Sequence, residues 1–352
     1  MKNMNKFKFP GLILLMTVLI FAGTPAVEAE ADQLVISTWG FGEDLLWEHV
    51  FTPFEEEFDV EIVLEVGNNA DRLQRVIMRG GTEVDIIYLA ESYALEAISQ
   101  DVFAEIDRSL IPNLDQIYDI AVAPHGEQFG PAYTLTSYGI VYDSNAVDES
   151  ITSWADLWDS RFENNLSIPE FDTTSGPAIL FEAADLAGVD YRDDLDAVFA
   201  KLEELKPNLV TTYPRSSELA NMFAQGEVIV GPTQSFAFDQ IKAAVEGAVW
   251  VYPEEGGYVN FNTVNIVKNS DQKELAHQFI NFLLREDVQQ SFSESGLDSP
   301  VNVNVELTEE QVEELGVVYG LELIESLKSM DWDWVNENKQ ELLRRWDREL
   351  LN

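Results

Sequence analysis

The chain has 352 residues, of which 46% are hydrophobic and 11% are aromatic, so it can bury enough apolar surface to fold and is not intrinsically disordered. Its 21 basic residues stand against 64 acidic ones, a formal net charge of −43. Repulsion on this scale excludes nucleic acids and anionic lipid surfaces as partners. The chain has no cysteine, which excludes disulfides, thiolate metal sites and a lipid-bearing cysteine.

The carboxylates are spread along the whole chain. This distribution is typical of a solvated acidic surface suited to a saline habitat, and charges more than about 10 Å apart are screened at 0.1 M salt. The net charge therefore does not identify a ligand.

Residues 1–31 have the pattern of a cleavable secretory signal peptide. Lys2, Lys6 and Lys8 precede the apolar run Gly11–Ala22, and small residues follow at 27–31. A membrane anchor needs about 20 apolar residues, and this run is shorter. We expect a protein exported to the periplasm, without a lipid anchor and soluble after cleavage.

Apolar or β-branched runs then alternate with amphipathic segments. In chain order these predict strand Leu34–Trp39, helix Leu45–Phe58, strand Val60–Val66, helix Ala70–Arg79 and strand Val84–Leu89. Strands that alternate with helices indicate a parallel sheet covered on both faces. A single core seldom grows beyond about 250–300 residues, so the length favours two lobes.

The middle of the chain repeats this alternation and predicts a second α/β unit. Its predicted elements are strands Gly139–Tyr142, Leu166–Ile168, Leu209–Thr212, Glu227–Gly231 and Ala248–Tyr252 and helices Pro177–Ala187, Asp194–Leu205, Ser217–Gln225 and Ser235–Val245. Helices are predicted from Thr308 to the end. Ser153, Ser217 and Thr308 are expected to cap helices, and Gly226 is expected to end one.

No constellation of residues indicates catalysis. His49, His125 and His277 lie far apart without a second ligand at metal-binding spacing, and neither a nucleophile elbow, a phosphate loop nor a dinucleotide-binding glycine motif is present. The abundant carboxylates single out no acid–base pair. We therefore expect no catalytic residue, no metal and no cofactor.

Polar and aromatic residues do collect at predicted strand ends, where open α/β sheets bind ligands. The segment Asp172–Pro177 opens a helix whose exposed amides could hold an anionic group, although helix capping accounts for the same residues. Trp39 and Tyr93 could equally be core aromatics. The candidate ligand-binding residues are Trp39, Glu91, Ser92, Tyr93, Thr136, Ser137, Asp172, Thr173, Thr174, Ser175, Gln234, Asn260 and Asn262.

The mature chain resembles the spermidine/putrescine-binding proteins of bacterial polyamine uptake and their wider family of extracellular solute-binding proteins. The stretches that carry the resemblance are Ile151–Trp158, Gly226–Val228, Tyr252–Gly257, Ile280–Arg285 with Asp287-Val288, and Ser299–Asn302. Their order and spacing match over nearly the whole mature chain, and together they are specific for the family.

The resemblance implies an α/β, bilobal periplasmic-binding-protein fold of type II, in which a hinge of two crossovers joins the lobes near Ser137 and near Tyr258–Asn262. The expected limits are 32–136 plus about 262–305 for lobe 1, and 137–261 plus about 306–352 for lobe 2 and the C-terminal helices. It also implies a small organic solute as ligand, an ABC permease and ATPase as partners, and a monomer that is not an enzyme.

The family's polyamine pocket combines aromatic walls with carboxylates. Trp39 matches its first aromatic residue and Tyr93 lies in the matching turn, but Asn260, Asn262 and Gln234 stand where tryptophan or aspartate is expected, and Thr174 replaces an acidic residue. A polyamine is the leading ligand; an amino-acid derivative, an opine or a small carboxylate is the alternative. A sensory binding protein and a secreted hydrolase are the competing functions.

Overall fold

The computed structural model describes residues 32–40, 42–296, 298–315 and 317–351. The predicted signal peptide, residues 1–31, lies outside the described residues. None of the helices in the described ranges is both long and apolar enough to cross a membrane.

The strands of the described residues form one continuous mixed sheet in the order β2-β1-β3-β9-β4-β7-β5-β6, with β8 and β10 pairing beside β4. The strands are β1 Asp32–Thr38, β2 Val60–Val66, β3 Ile86–Ala90, β4 Ala132–Asp143, β5 Leu166–Pro169, β6 Leu209–Tyr213, β7 Val230–Gln234, β8 Ala248–Val251, β9 Tyr258–Ile266 and β10 Ser299–Pro300.

Helices cover this sheet and form the C-terminal region. They are α1 Glu43–Leu46, α2 Thr52–Phe58, α3 Asn69–Met78, α4 Glu91–Ser99, α5 Asp119–Val122, α6 Gly176–Ala187, α7 Leu195–Glu203, α8 Ser216–Gln225, α9 Phe238–Ala244, α10 Lys273–Leu283, α11 Glu286–Glu294, α12 Glu309–Leu315, α13 Leu321–Ser326 and α14 Trp332–Arg345. A π-helical turn, Trp47–Phe51, joins α1 to α2, and another, Trp346–Leu351, follows α14.

The prediction of a parallel sheet is correct only for the two ends of the sheet. There β1 pairs in parallel with β2 and β3, and β5 pairs in parallel with β6 and β7. The long strands β4 and β9 are antiparallel to each other and to their outer neighbours. Strand periodicity reports which faces are buried and not the direction of the partner strand, so the sequence did not reveal this reversal.

Helix ends follow local sequence in three of four predicted cases. The Ser153 hydroxyl accepts the Ala155 amide in a capping box, although the segment it caps is a short 3₁₀ helix, and Thr308 exchanges hydrogen bonds with Gln311. Gly226 ends α8 with a φ of 68°, which glycine adopts without strain. The predicted Ser217 cap is wrong, because α8 already begins at Ser216 and no side chain caps it.

Two large hydrophobic clusters fill the molecule. The first core includes Leu34, Phe54 and Phe279, and the second core includes Trp154, Leu180 and Trp346. Smaller clusters lie around Leu89 and around Phe223.

The chain passes between the two cores at three places. These are between Leu135 and Tyr138 on β4, between Tyr258 and Val259 on β9, and between Leu327 and Met330. Residues such as Val318 and Ile324 thus pack with the first core, although the sequence-based limits assign 306–352 to lobe 2. The limits of the lobes remain a prediction.

The third passage is fixed by a buried ion pair. Glu182 on α6 is 2% exposed and accepts a hydrogen bond from the Tyr258 hydroxyl at 2.6 Å, and the Lys328 ammonium forms an ion pair with the same carboxylate. Lys328 also lies over the Tyr258 ring at 4.7 Å. Its backbone bonds to Gly257 and Val259, so one lysine ties α6 to the end of β9.

Candidate functional site

The predicted site residues on β4 and β9 face each other across the middle of the sheet. Thr136 lies opposite Asn260, and Thr134 lies opposite Asn262. Because alternate residues of a strand share one face, these four side chains form a polar patch on the same side of the sheet. Ser137 points to the opposite face, where its hydroxyl bonds to the Tyr252 hydroxyl at 2.7 Å.

Gln234 extends this patch to the start of α6. Its side-chain oxygen accepts a hydrogen bond from Thr136 at 2.6 Å, and its nitrogen donates to Thr174 at 2.7 Å and to Ser175 at 3.4 Å. Gln234, Thr136 and Ser175 are buried. The structure therefore brings four of the predicted residues into one hydrogen-bond network that spans β4, β7 and the loop before α6.

Glu91 begins α4 directly after β3 and is 7% exposed. Burial raises the pKa of its carboxyl to about 8, although the Phe261 amide and the Trp332 indole act in the opposite direction. No Lys, Arg or His of the described residues lies within ion-pair distance of it. Glu91 is thus a buried acid without a positive partner, which is costly unless something else supplies the charge.

Three buried polar atoms of this region lack a hydrogen-bond partner among the described residues. They are the Glu91 Oε2, the Asn260 Oδ1 and the Trp332 indole nitrogen, which lies near Glu91 but forms no hydrogen bond of normal geometry with it. Buried polar groups in folded proteins are nearly always satisfied, so three unsatisfied atoms in one region indicate a site for a polar ligand or for ordered water. Sequence reasoning missed Trp332, since its position at the start of α14 carries no local signal of proximity to Glu91.

Asp298 is a second acid that sequence reasoning missed. It precedes β10 and accepts a hydrogen bond from Asn262 at 3.4 Å and from the Ser299 amide at 2.9 Å. Burial raises the pKa of its carboxyl to about 7, against the influence of these bonds. Asn262 therefore links a second acid to the polar patch.

Trp39 follows β1 and is half-buried beside Tyr88, with ring centroids 6.2 Å apart. The Arg72 guanidinium lies 4.9 Å from the Trp39 ring. Arg72 is fully buried and donates to the backbone oxygens of Ser37, Gly67 and Tyr88, and burial lowers its pKa to about 10. Its hydrogen bonds to the Ser37 and Tyr88 carbonyls join β1 to β3.

Ser92, Tyr93, Asp172 and Thr173 line one shallow crevice against α14. Burial and the nearby Asp172 carboxylate raise the pKa of Tyr93. Thr173 is engaged locally, because its hydroxyl donates to the Glu170 carbonyl and accepts the Gly176 amide. The first amide of α6, the helix start considered as an anion anchor, is therefore already bonded to the Thr173 side chain.

Helix α14 closes the crevice from the side of the second core. The Asn336 side chain donates to the Ser92 carbonyl at 3.3 Å, and the Lys339 ammonium lies 5.9 Å from the Tyr93 ring. Trp332 lines the same crevice, which places the crevice next to Glu91. No group of three or more His, Asp or Glu side chains in the described part of the chain could hold a metal ion.

Comparison with known proteins decides the family. The bacterial extracellular solute-binding protein family matches residues 82–326. The chain belongs to this family.

Among curated relatives, the chain is similar to the spermidine/putrescine-binding periplasmic protein of Salmonella typhimurium, with 27% identity over 216 residues, or 60% of this chain and 61% of that protein. It is also similar to the putrescine-binding periplasmic protein PotF of Escherichia coli, with 25% identity over 82% of each chain. The match to the Salmonella protein thus spans less than two thirds of its length.

The crystal structure of an ABC transporter protein from Clostridium perfringens is 43% identical and has a TM-score of 0.83, covering 90% of this chain and 99% of that one. The α/β, bilobal type II fold predicted from the sequence is confirmed, and so is the predicted resemblance to the polyamine-binding branch.

Proposed function

We propose that the protein is the solute-binding component of an ABC-type uptake transporter and that it captures a polyamine-type cation, such as spermidine or putrescine, between two lobes. It works as an exported monomer in the periplasm and delivers the solute to a permease and an ATPase at the inner membrane. Family membership and the names of the Salmonella and Escherichia relatives support this role.

The observation that carries the proposal is the buried Glu91 carboxyl, which has an unsatisfied oxygen and no positive partner among the described residues. An ammonium group bound beside Glu91 supplies both the missing charge and the missing hydrogen-bond donor. It favours the ionised acid, so its binding is strongest where that acid can ionise. The Asn260 Oδ1 is a further acceptor without a donor.

The surroundings of Glu91 suit the rest of a polyamine as well. Asp298 offers a second, half-buried acid in contact with Asn262, and the half-buried Trp39 offers aromatic surface for methylene groups. The acids that a polyamine binder requires are therefore supplied by positions other than those expected from the family, where Asn260, Asn262 and Gln234 stand.

The alternative ligands, an amino-acid derivative, an opine or a small carboxylate, need an anion partner. Arg72 donates to three backbone oxygens and to the Asn69 side chain, and Thr173 accepts the Gly176 amide at the start of α6. These hydrogen bonds leave fewer donors for a ligand carboxylate and therefore favour a cationic ligand.

A thermal-shift screen of the mature protein tests the ligand. Putrescine, spermidine, γ-aminobutyrate, octopine and succinate are compared at equal concentration in salt. A ligand at a hundredfold excess over Kd raises the unfolding free energy by about 2.7 kcal/mol, so a micromolar ligand is readily detected. We expect shifts with putrescine or spermidine; a shift with octopine or succinate alone contradicts the polyamine assignment.

The transport role has its own test. Deleting the gene should abolish uptake of labelled putrescine, and restoring the full chain should recover it. Uptake that persists while chemotaxis towards the solute is lost favours a sensory protein. Turnover of a solute by pure protein, abolished by Glu91→Gln, favours the hydrolase.

A further inference from the structure

A second pocket lies on the opposite face of β4 from the polar patch. It has a volume of about 370 Å³ and is lined by residues of α9, β8 and the segment around α12 and α13: Ser235, Phe238, Lys242, Ala248, Val249, Trp250, Tyr252, Val312, Val317 and Leu323. We call this the β8 pocket. Small-molecule sites have volumes of about 300–1,000 Å³, so the β8 pocket is large enough for a compact ligand.

Strand pleating separates the β8 pocket from the polar patch. The Thr136 hydroxyl donates to Gln234 on one face of β4, whereas the hydroxyl of the next residue, Ser137, bonds to the Tyr252 hydroxyl on the other face. The Ser137 backbone amide donates to the Ser235 hydroxyl. Tyr252 and Ser235 line the β8 pocket. A ligand in this pocket is therefore divided from the Thr136–Gln234 contact by the strand itself.

The walls of the β8 pocket are aromatic and suit a flat apolar group. Trp250 contacts Tyr252 edge to face, with ring centroids 5.7 Å apart, and Phe238 lies 6.0 Å from Trp250. Valine and leucine side chains complete the wall. Aromatic rings bind other rings in such offset and edge-to-face arrangements.

The charge of the lining specifies the polar end of the ligand. The described residues that line the β8 pocket include Lys242 and no aspartate or glutamate, in a chain of net charge −43. The Lys242 ammonium lies 5.8 Å from the Phe238 ring, so it stands beside the aromatic wall. The Ser235 hydroxyl accepts the Ser137 amide and retains its own hydrogen to donate.

We propose that the β8 pocket is a second binding site, separate from the polar patch and Glu91, for a small aromatic monocarboxylate. The ring lies against Trp250 and Phe238, and the carboxylate faces Lys242. This site differs from the surroundings of Glu91 in both properties, because Glu91 is a buried acid, whereas the β8 pocket offers a lysine and apolar walls.

Fluorine NMR titration of the mature protein with 4-fluorophenylacetate tests the proposal. A ligand of this size should bind with a Kd of about 1 mM. The neutral 4-fluorophenylacetamide and the cationic 4-fluorophenethylamine should bind more weakly. Equal binding of all three, or no binding of the carboxylate up to about 10 mM, would overturn the proposal.

Three variants locate the binding. Lys242→Gln should weaken 4-fluorophenylacetate about two- to fivefold, the range for an exposed charge pair, while Lys273→Gln, an exposed lysine on α10, should not change it. Leu323→Trp should block the pocket, and its half-buried position tolerates the change. Binding of 4-fluorophenylacetate that persists in Leu323→Trp, or that Lys242→Gln and Lys273→Gln weaken equally, contradicts the second site.

Discussion

Glu91 and Glu182 are both buried glutamates near the passages between the two cores, yet their surroundings differ. Glu182 has the Lys328 ammonium and the Tyr258 hydroxyl as partners, whereas Glu91 has an unsatisfied oxygen and no positive partner in the described chain. Burial raises the pKa of both. A buried acid with its partners in place serves the fold, and a buried acid without them is available to a ligand.

The largest expected effect comes from Glu91→Gln. Loss of the ionised acid should lower the affinity for putrescine or spermidine by about ten- to a hundredfold, since a hydrogen bond to a charged group is worth about 1.5–3 kcal/mol. Isothermal titration calorimetry measures this, with the exposed Glu105→Gln as the matched control. Unchanged affinity would show that Glu91 does not contact the ligand.

The same variant has a defined effect on stability. Below about pH 4.5 the Glu91 carboxyl is protonated in both the folded and the unfolded chain. Between pH 4.5 and about 8 it stays protonated only in the folded chain, which therefore binds more protons. The free energy of unfolding consequently falls as the pH rises through this window. Glu91→Gln removes this pH-dependent loss of stability, because glutamine does not ionise. We expect a melting temperature at pH 8.5 equal to or above that of the wild type; a lower one would make Glu91 a structural residue.

Glu182→Gln should affect stability more than binding, because this carboxylate has partners in the fold that Glu91 lacks. Replacing the carboxylate leaves Lys328 without its closest partner and should lower the unfolding free energy by about 2 kcal/mol, with ligand affinity of the folded protein nearly unchanged. Urea unfolding gives the first quantity and calorimetry the second. Lys328 is 28% exposed, and water therefore limits the loss. A large change in affinity with intact stability would reverse the roles of the two acids.

Trp39→Ala should lower the affinity for the cationic solute about tenfold. The melting temperature should stay within a few degrees of the wild-type value, because Trp39 is half-buried and lies at the end of β1. Fluorescence titration and calorimetric melting separate the two effects. Strong destabilisation with intact affinity would assign Trp39 to the first core.

The smallest expected effect concerns α14. Asn336→Ala removes the hydrogen bond to the Ser92 carbonyl, which joins α14 to α4. We expect the affinity for the solute to fall about two- to fivefold. Asn338→Ala is the matched control, since its side chain bonds within α14 to the Trp334 carbonyl. Equal affinities of the two variants would show that the α14–α4 contact does not contribute to binding.

Sequence patterns predicted the network around Gln234 only in part. Thr136, Thr174, Ser175 and Gln234 were all candidates because each lies near a predicted strand or helix end, and the structure joins them. Ser137 was a candidate on the same grounds and lies on the other face of β4. Proximity to a strand end is a local property, but the face depends on the exact start of the pleat.

The sequence by itself determined the α/β class, most element positions, the family and the absence of cysteine chemistry, because periodicity, turn residues and family motifs are properties of short segments. Only the tertiary structure decided which of many carboxylates are buried, and which of these have a partner. Glu91 meets Trp332, and Glu182 meets Lys328, through contacts between segments far apart in the chain. Desolvation and pairing arise from those contacts, so 64 acidic residues that look alike in sequence become chemically distinct only in the fold.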